Sequence, residues 1–454
     1  MQSSVGLRHA CLTRSFCALI VVVHHQPIAQ RRARTLTSGV DQGVAVNLGS
    51  VQRDDHSEWP KALDPAALAA QGWAPTPFRE FVVKVNSRCD LSCAYCYVYE
   101  MADRSWREQP IRMSAATATR TGERIAEHVR GHGLQSVELI LHGGEPLLAG
   151  PALLSHIVTA TRSAVSGRAR VGARIQTNGI RLDAGYLRMF DHLDIAVAIS
   201  LDGDKKAHDR HRKYANGKGS YDAVTKSLGL LRDSYPHLFS GLLCTIDVRD
   251  DPVAIYEALL EHQPPRIDFL LPLGNWSYPP PGRIPGAAET PYADWLVAVF
   301  DRWYGAPRKE TDVRLFSEII HLLLGGRSNS ESLGLSPVTV LVIDADGTIE
   351  LSDTIRSSAP GSPSTGLHVA RNAFDEALLL SETVARQLGE SALAPGCRSC
   401  KVRAVCGGGQ FAHRYRAETG FANPSVYCPD LLALIRHIRQ VVAADLGTRL
   451  GRLG

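Results

Sequence analysis

Among its 454 residues the sequence has no apolar run long enough to cross a bilayer. That excludes a chain inserted in a membrane as a helix. Net charge is nearly absent: +4 over the whole length, too dilute to argue for nucleic acid or an anionic membrane surface. No basic RNA-binding module is visible, and no fixed-period repeat, which excludes a solenoid or propeller. Acidic residues are missing from the start of the chain. The first is Asp41, whereas arginine stands at Arg8, Arg14, Arg31, Arg32 and Arg34, beside a short apolar run, Phe16 to Val23. This resembles a targeting peptide, but residues 1–77 read better as a disordered extension or an upstream mis-start, with Trp59 to Pro77 as a lead-in. What remains is an ordinary globular composition, 44% hydrophobic and 21% charged, long enough for two or three domains.

Cysteine is present in a telling pattern. There are ten, and seven fall in two tight groups. In a chain of this size such grouping favours metal or redox ligation over a disulfide framework, and oxygen-sensitive thiolates need a reducing, cytoplasmic compartment. The first group is Cys89, Cys93 and Cys96, spaced Cys-x3-Cys-x2-Cys with Tyr95 before the last, in a loop after the strand-like run Phe81 to Val85. Three thiolates leave one position open in a tetrahedral metal site or a 4Fe-4S cube. A three-thiolate cluster with one open iron can hold a chelating ligand that carries both an amine and a carboxylate. The bland reading, three unrelated buried cysteines or an incomplete zinc site, does not explain a triad in one loop.

From Phe81 onward, strand-like runs alternate with amphipathic segments of helical length. The strands expected are Phe81–Asn86, Ser136–His142, Val171–Thr177, Asp194–Leu201, Gly241–Val248 and Ile267–Leu271. The helices between them are Ser114–Gly131, Pro151–Ser166, Asp183–His192, Tyr221–Ser234 and Pro252–Glu261. Short links between such elements mean a parallel sheet covered by helices. Six repeats are too few for a closed eight-stranded barrel, so the fold class predicted is α/β, a partial (β/α)6 barrel over 78–275 with a C-terminal cysteine-rich α+β extension. Working residues of parallel barrels sit at the C-terminal ends of strands. The cysteine loop, Gly143-Gly144-Glu145-Pro146, Thr177-Asn178-Gly179, Ser200-Leu201-Asp202-Gly203 with His208-Asp209 and Arg212, and Leu271-Pro272 all fall there. Singly, each is a common turn or helix-start sequence.

Residues 276–335 read as a linker with bridging helices at Tyr292–Tyr304 and Arg314–Leu324. The segment 336–454 begins with a β-hairpin, Val338–Ile343 and Thr348–Leu351 around Asp344-Ala345-Asp346-Gly347. A flexible stretch, Ser357–Gly366, comes next, then a helix near Ala373–Leu388 and a terminal helix, Leu431–Leu446. Between these last two lies the second group, Cys397-x2-Cys400-x5-Cys406, Gly407-Gly408-Gly409 and Cys428. Four thiolates close around either zinc or a 4Fe-4S cube, and spacing alone does not choose. Cys244 reads as a buried apolar cysteine, and His413-Arg414-Tyr415 as packing or an electron or substrate guide.

The cysteine loop with Tyr95, then Gly143-Gly144-Glu145, then Ser200-x-Asp202-Gly203 resemble the radical S-adenosylmethionine (SAM) enzymes. The resemblance implies that Cys89, Cys93 and Cys96 ligate a 4Fe-4S cluster whose open iron chelates SAM. It implies that Gly143, Gly144 and Glu145 meet the SAM amino group, that Ser200 and Arg212 lie near its ribose or carboxylate, and that Leu271 lies near the adenine. Tyr95 and Asp202 belong to the same cofactor-binding set. Glycines permit close approach, and a carboxylate suits an ammonium group.

The second group is similar to the SPASM extension, which implies an auxiliary 4Fe-4S cluster rather than zinc. The full SPASM pattern has two further cysteines, at positions occupied here by Ser352, five residues after Gly347, and Gln410, four after Cys406. One auxiliary cluster is therefore expected, on Cys397, Cys400, Cys406 and Cys428. The stretches CDLSCAYCYVYEMADRSWR, LHGGEPLLAG, GLLCTIDVRDDPVAIYEALL, PYADWLVAVFDRWY, CGGGQFAHRY and NPSVYC resemble the FxsB-type peptide maturases. That implies a cyclophane synthase. Its substrate would be a short ribosomal precursor peptide with a Phe-x-Ser-like C-terminus, and a flavodoxin or ferredoxin would donate the electron. The alternatives are a sulfatase-maturase-like oxidation of Cys or Ser in a protein, and a non-enzymatic peptide-binding or zinc-stabilised scaffold.

Overall fold

Parallel pairing dominates the sheet because each strand is followed by a helix that returns the chain over one face. The computed structural model describes residues 63–328 and 330–450. Six parallel strands form the barrel portion: β1 (Glu80–Asn86), β2 (Ser136–Gly143), β3 (Arg170–Thr177), β4 (Ile195–Ser200), β5 (Phe239–Thr245) and β6 (Arg266–Leu270). After α1 (Pro65–Ala70), the covering helices are α2 (Ala115–His132), α3 (Pro151–Val165), α4 (Ala184–His192), α5 (Lys205–His211), α6 (Tyr221–Ser234) and α7 (Pro252–Leu260). Their starts arise from local chemistry. The side chains of Ser114, Asp183, Asp204 and Asp251 each accept a hydrogen bond from a first-turn amide, and Pro151 and Pro252 occupy first-turn positions. On β1, Phe81, Val83 and Val85 are buried in the main core, while Lys84 and Asn86 on the alternate face are buried as well. A strand covered on both faces needs that pattern.

The sheet does not stop at the barrel. A two-residue strand, β7 (Asp312–Val313), adds beside β6, between α8 (Pro291–Tyr304) and α9 (Arg314–Leu323). On the other edge β8 (Val340–Ile343) lies parallel to β1 and forms the expected hairpin with β9 (Thr348–Glu350). Strands from all three predicted segments thus share one ten-stranded sheet, β10-β9-β8-β1-β2-β3-β4-β5-β6-β7.

Four sequence expectations are corrected. Ser357–Gly366 is not a flexible stretch throughout: β10 (Ser364–His368) pairs antiparallel with β9. The helix expected near Ala373–Leu388 is two, α10 (Phe374–Leu378) and α11 (Ser381–Ala385). Leu380 is extended between them, and the two halves bury their apolar residues in different clusters, Phe374 and Leu378 in the main core, Val384 and Ala385 in a smaller one. Residues 63–77 are not a loose lead-in. Leu63 and Leu68 are buried in that smaller cluster with Leu351, Ile355 and Leu388, and Gln387 bonds both the amide (2.9 Å) and the carbonyl (2.9 Å) of Thr76. The helix α5 and the strand β7 were not anticipated. The targeting-like features before residue 63 lie outside the described residues. Among the described residues no helix is long and apolar enough to cross a membrane. The described residues end in α12 (Pro395–Arg398), α13 (Arg403–Cys406) and α14 (Cys428–Leu450).

Candidate cofactor site at the rim of the sheet

The loop after β1 carries Cys89, Cys93 and Cys96 to the C-terminal rim, all three half-buried free thiols. Its shape is set by the turn at the end of β2. The amide of Gly144 donates to the Asn86 carbonyl (2.8 Å) and that of Glu145 to the Arg88 carbonyl (2.9 Å). The two glycines are required by this approach. A Cβ on Gly143 would lie 2.2 Å from the Asn86 carbonyl oxygen, and one on Gly144 1.9 Å from Tyr99 Oη and 2.4 Å from the Arg88 carbonyl oxygen. The far side of the loop is tied to the segment after α5, with Ser92 N–H donating to the Lys213 carbonyl at 2.7 Å.

Two thiols receive side-chain donors. Asn178 Nδ2 lies 3.8 Å from Cys89 Sγ, and Arg212 Nη1 lies 3.9 Å from Cys93 Sγ. The Leu91 amide also approaches Cys89 Sγ, at 3.4 Å. Burial pushes all three thiols up, Cys96 to about 11, and Arg212 opposes this at Cys93. Loading iron there must displace protons, and N–H groups aimed at sulfur are what a thiolate cluster needs around it. The donor set therefore fits a three-thiolate cluster.

Glu145 is buried, and its carboxylate is taken up within the protein. It accepts from Leu147 N–H (2.9 Å), Thr177 Oγ1 (2.7 Å) and Asn178 N–H (2.8 Å). It starts a short helix, as the helix-start pattern at this residue suggests, and it also fastens the end of β2 to the end of β3. Burial pushes it up to about 7 although these three donors hold it down. Asp202 accepts from Tyr95 Oη and from the Thr245 amide (3.1 Å), with Arg212 Nε at 3.6 Å. The Arg212 guanidinium lies 5.9 Å from the centre of the Tyr95 ring. Ser200 accepts from Gln176 Nε2 at 2.9 Å. Leu271 is packed at the edge of the main core after β6. The structure brings Tyr95, Asp202 and Arg212 together, with Arg212 also reaching Cys93, while Gly143, Gly144 and Glu145 brace the loop from β2.

Asn178 and His208 were read in the sequence only as members of rim clusters, without a role, and Lys84 and Arg356 were not singled out at all. Asn178 joins Cys89 to Asp90, whose Oδ1 it contacts at 2.9 Å. It stood in the Thr177-Asn178-Gly179 rim cluster, where an Asn-Gly turn explained it equally well. His208 is fully buried and accepts the Asp202 amide at Nδ1 (3.4 Å), so its proton sits on Nε2 and is donated to Ser220 Oγ (3.0 Å), which donates to the Arg212 carbonyl (2.7 Å). Lys84 and Arg356 centre a buried ionic cluster with Asp103, Asp344, Glu350 and Asp353. Lys84 reaches Asp353 at 2.7 Å and Arg356 reaches Asp344 at 2.8 Å. Burial would raise Asp353, but Lys84 and Arg356 hold it at about 2, whereas burial pushes Glu350 up to about 7.

Cys397, Cys400, Cys406 and Cys428 are free, half-buried thiols within electrostatic reach of one another, each of Cys397, Cys406 and Cys428 being raised by burial and by other thiols of the group. Among the described residues, three ligand atoms close within 4.8 Å of one another only at a histidine–aspartate group on α2 and α10. Neither cysteine group is drawn in to the roughly 3.8 Å sulfur–sulfur edges of one tetrahedral zinc ion. Gly407, Gly408 and Gly409 all have positive φ (60°, 79° and 68°), and Arg414 bonds their three carbonyls at 2.6, 3.1 and 2.7 Å.

A partial barrel of six parallel strands thus carries a three-cysteine loop braced at its C-terminal rim, where parallel barrels place their working residues. Residues 83–259 match the sequence model of the Radical SAM superfamily. Over 350 residues the chain is 22% identical to a cysteine-type anaerobic sulfatase-maturating enzyme of Clostridium novyi (strain NT), covering 76% of this chain and 90% of that relative. The structure of anSMEcpe with bound AdoMet and a Cp18Cys peptide is similar with a TM-score of 0.67 at 20% identity, covering 81% of this chain and 99% of that one. The Streptococcus suis protein SuiB bound to precursor peptide SuiA is similar with a TM-score of 0.51 at 14% identity, covering 79% and 77%. At these identities the structural likeness speaks for the fold.

Proposed function

We propose that the chain is a radical SAM peptide maturase that joins an aromatic ring to a nearby β-carbon in a short ribosomal precursor peptide, closing a cyclophane. Cys89, Cys93 and Cys96 would hold a 4Fe-4S cluster, and Cys397, Cys400, Cys406 and Cys428 one auxiliary 4Fe-4S cluster. When bound, the first cluster and SAM supply a 5′-deoxyadenosyl radical able to take a hydrogen atom from the substrate. The protein's own part is placement. Arg212, locked by Asp202 and by the His208–Ser220 chain, presents a fixed positive charge beside Cys93 and the Tyr95 ring. Ser200 and Leu271 offer a polar and an apolar contact from β4 and β6 for the ribose and adenine. A ferredoxin or flavodoxin would supply the electron.

The carrying observation is at the second cysteine group. Four thiols are kept, while Ser352 and Gln410 stand where a second auxiliary set would need thiols. The segments immediately after them, 353–357 and 411–414, pack together, and Ser352 is buried with its hydroxyl against Thr354 at 3.1 Å. That arrangement supports one electron-accepting cluster whose four ligands are all protein, suited to oxidising the intermediate as the ring regains aromaticity. The relatives' names favour a second reading, oxidation of Cys or Ser to an aldehyde in a protein, and both named structural neighbours hold peptides.

Co-expression with the short peptide of the neighbouring reading frame tests the proposal. The expected product lacks two hydrogens, does not fragment across a three-residue segment, and does not react with a hydrazide. Ser oxidation also removes two hydrogens, so the hydrazide separates the readings: a labelled aldehyde supports the second. An unchanged peptide mass refutes cyclophane formation.

A further inference from the structure

His128 and His132 stand one turn apart on α2, so both imidazoles project from the same face of the helix. Asp375, in the first turn of α10, meets them. Its Oδ1 lies 2.6 Å from His128 Nδ1 and 3.1 Å from His132 Nε2, and ligand atoms of all three residues lie within 4.8 Å of one another. The two imidazole rings are 4.5 Å apart between centres. The group lies on the helical layer, on α2 and α10 rather than at the strand ends.

We propose that His128, His132 and Asp375 form a binding site for a divalent ion of the zinc class, one that clasps α10 onto the barrel helix α2. Two imidazoles and one carboxylate form a ligand set that zinc accepts, with a fourth position left for water. Present separations are those of hydrogen bonds. Bonds of about 2.1 Å to a shared ion would widen them to about 3.4 Å, a movement below 1 Å. The half-exposed Asp375 can accommodate that, since 54% of its side chain is accessible. His128 is held more firmly. Its ring packs against Phe78, Phe81 and Phe374. Its Nε2 is buried without a hydrogen-bond partner, the Phe78 backbone being near the ring but short of hydrogen-bond geometry. Burial keeps this imidazole neutral, the form that binds metal. A clasp would add to the apolar anchoring of α10, a helix only five residues long whose Phe374 already stacks on Phe81 of β1.

The test uses the full chain with its iron–sulfur content reconstituted anaerobically, then equilibrated with zinc sulfate alone and desalted. Wild type should retain one zinc per chain more than His132→Ala or Asp375→Asn, with equal iron in all three. Competition with a chromophoric chelator should show at least tenfold weaker zinc binding in each variant. Zinc should raise the thermal midpoint of wild type and leave the variants unmoved. Cobalt provides a readout on wild type alone: an imidazole–carboxylate site gives weak visible bands without an intense thiolate charge-transfer band. Equal zinc in all three proteins, no retained zinc in wild type, or a cobalt spectrum of thiolate type would each overturn the proposal.

Discussion

Gly144 is the residue at which fold and cofactor site can be separated by a single methyl group. Replacing it with alanine places a Cβ 1.9 Å from Tyr99 Oη, 2.4 Å from the Arg88 carbonyl oxygen and 2.6 Å from its carbon. Ordinary carbon–oxygen contact needs more than 3 Å, so the Arg88 backbone must retreat by roughly 1 Å, at a cost of about 1–3 kcal/mol for overpacking. Arg88 immediately precedes Cys89, and its carbonyl accepts the Glu145 amide, so the displacement falls on the first thiol. The second cysteine group is held by other contacts, the Gly407–Gly409 turn and Arg414, none of which involves Arg88 or Gly144. We expect Gly144→Ala to fold but to retain only the auxiliary set, falling from about eight irons per chain to about four, with SAM cleavage lost. Gly229→Ala is the control. It sits within α6, nothing lies within 4 Å of its added Cβ, and it should stabilise by about 0.5–1 kcal/mol with iron unchanged. Adding Tyr99→Phe to Gly144→Ala removes the shortest contact but not the carbonyl clash, so rescue should be partial. Full iron and full SAM cleavage in Gly144→Ala, measured by iron analysis and 5′-deoxyadenosine release, would refute this account of the glycines, and complete rescue by Tyr99→Phe would assign the effect to the hydroxyl instead of the backbone.

The buried charges give two further outcomes. Burial pushes His208 down to about 3, below its unfolded value near 6.5, so the unfolded chain binds the extra proton first. The contribution is complete above pH 6.5 and is lost as pH falls toward 3. At pH 5.5 the loss is about 1.4 kcal/mol, and urea midpoints compared at pH 7.5 and 5.5 should shift by that much more in wild type than in His208→Gln, parallel profiles counting against the argument. Arg356 is fully buried among Asp103, Asp344, Glu350 and Asp353. Arg356→Met leaves Asp344, Glu350 and Asp353 to Lys84, takes the Arg356 guanidinium from Asp103, and should destabilise by about 3–5 kcal/mol in the same urea assay, a loss under about 1 kcal/mol showing that the cluster had relaxed or been hydrated.

The barrel was legible because its signals are local. Each strand is an apolar run, and most of the helices start at a capping side chain or a proline, so the elements expected from Phe81 to Leu271 fell within a few residues of their places, the short α5 alone being missed. The region C-terminal to the barrel was harder. The split between α10 and α11 depends on two separate apolar clusters that no periodicity in FDEALLLSETVA reveals. The packing of Leu63 and Leu68 depends on partners nearly three hundred residues away. The strand β10 was hidden in a Ser/Gly-rich segment whose own propensity argues against it.

The two cysteine groups differ in the same way, and the difference bears on what holds each together. The thiols of the first lie within one loop, and sequence spacing alone predicted their meeting. The structure adds that the loop is shaped from outside, by two glycine positions at the end of β2 that admit no side chain. In the second, Cys428 comes after Cys406 only by a long excursion, and nothing in the spacing says that the chain turns back. The return is made by Gly407, Gly408 and Gly409, all in the left-handed region, where a side chain is disfavoured. At Gly407 a Cβ would also lie 1.7 Å from the Gly334 carbonyl oxygen. Arg414 then gathers the three carbonyls that this turn leaves pointing inward. The first group depends on space and the second on a turn plus a half-buried cation. Agents that compete for carbonyls, such as guanidinium, should therefore disturb the second group before the first.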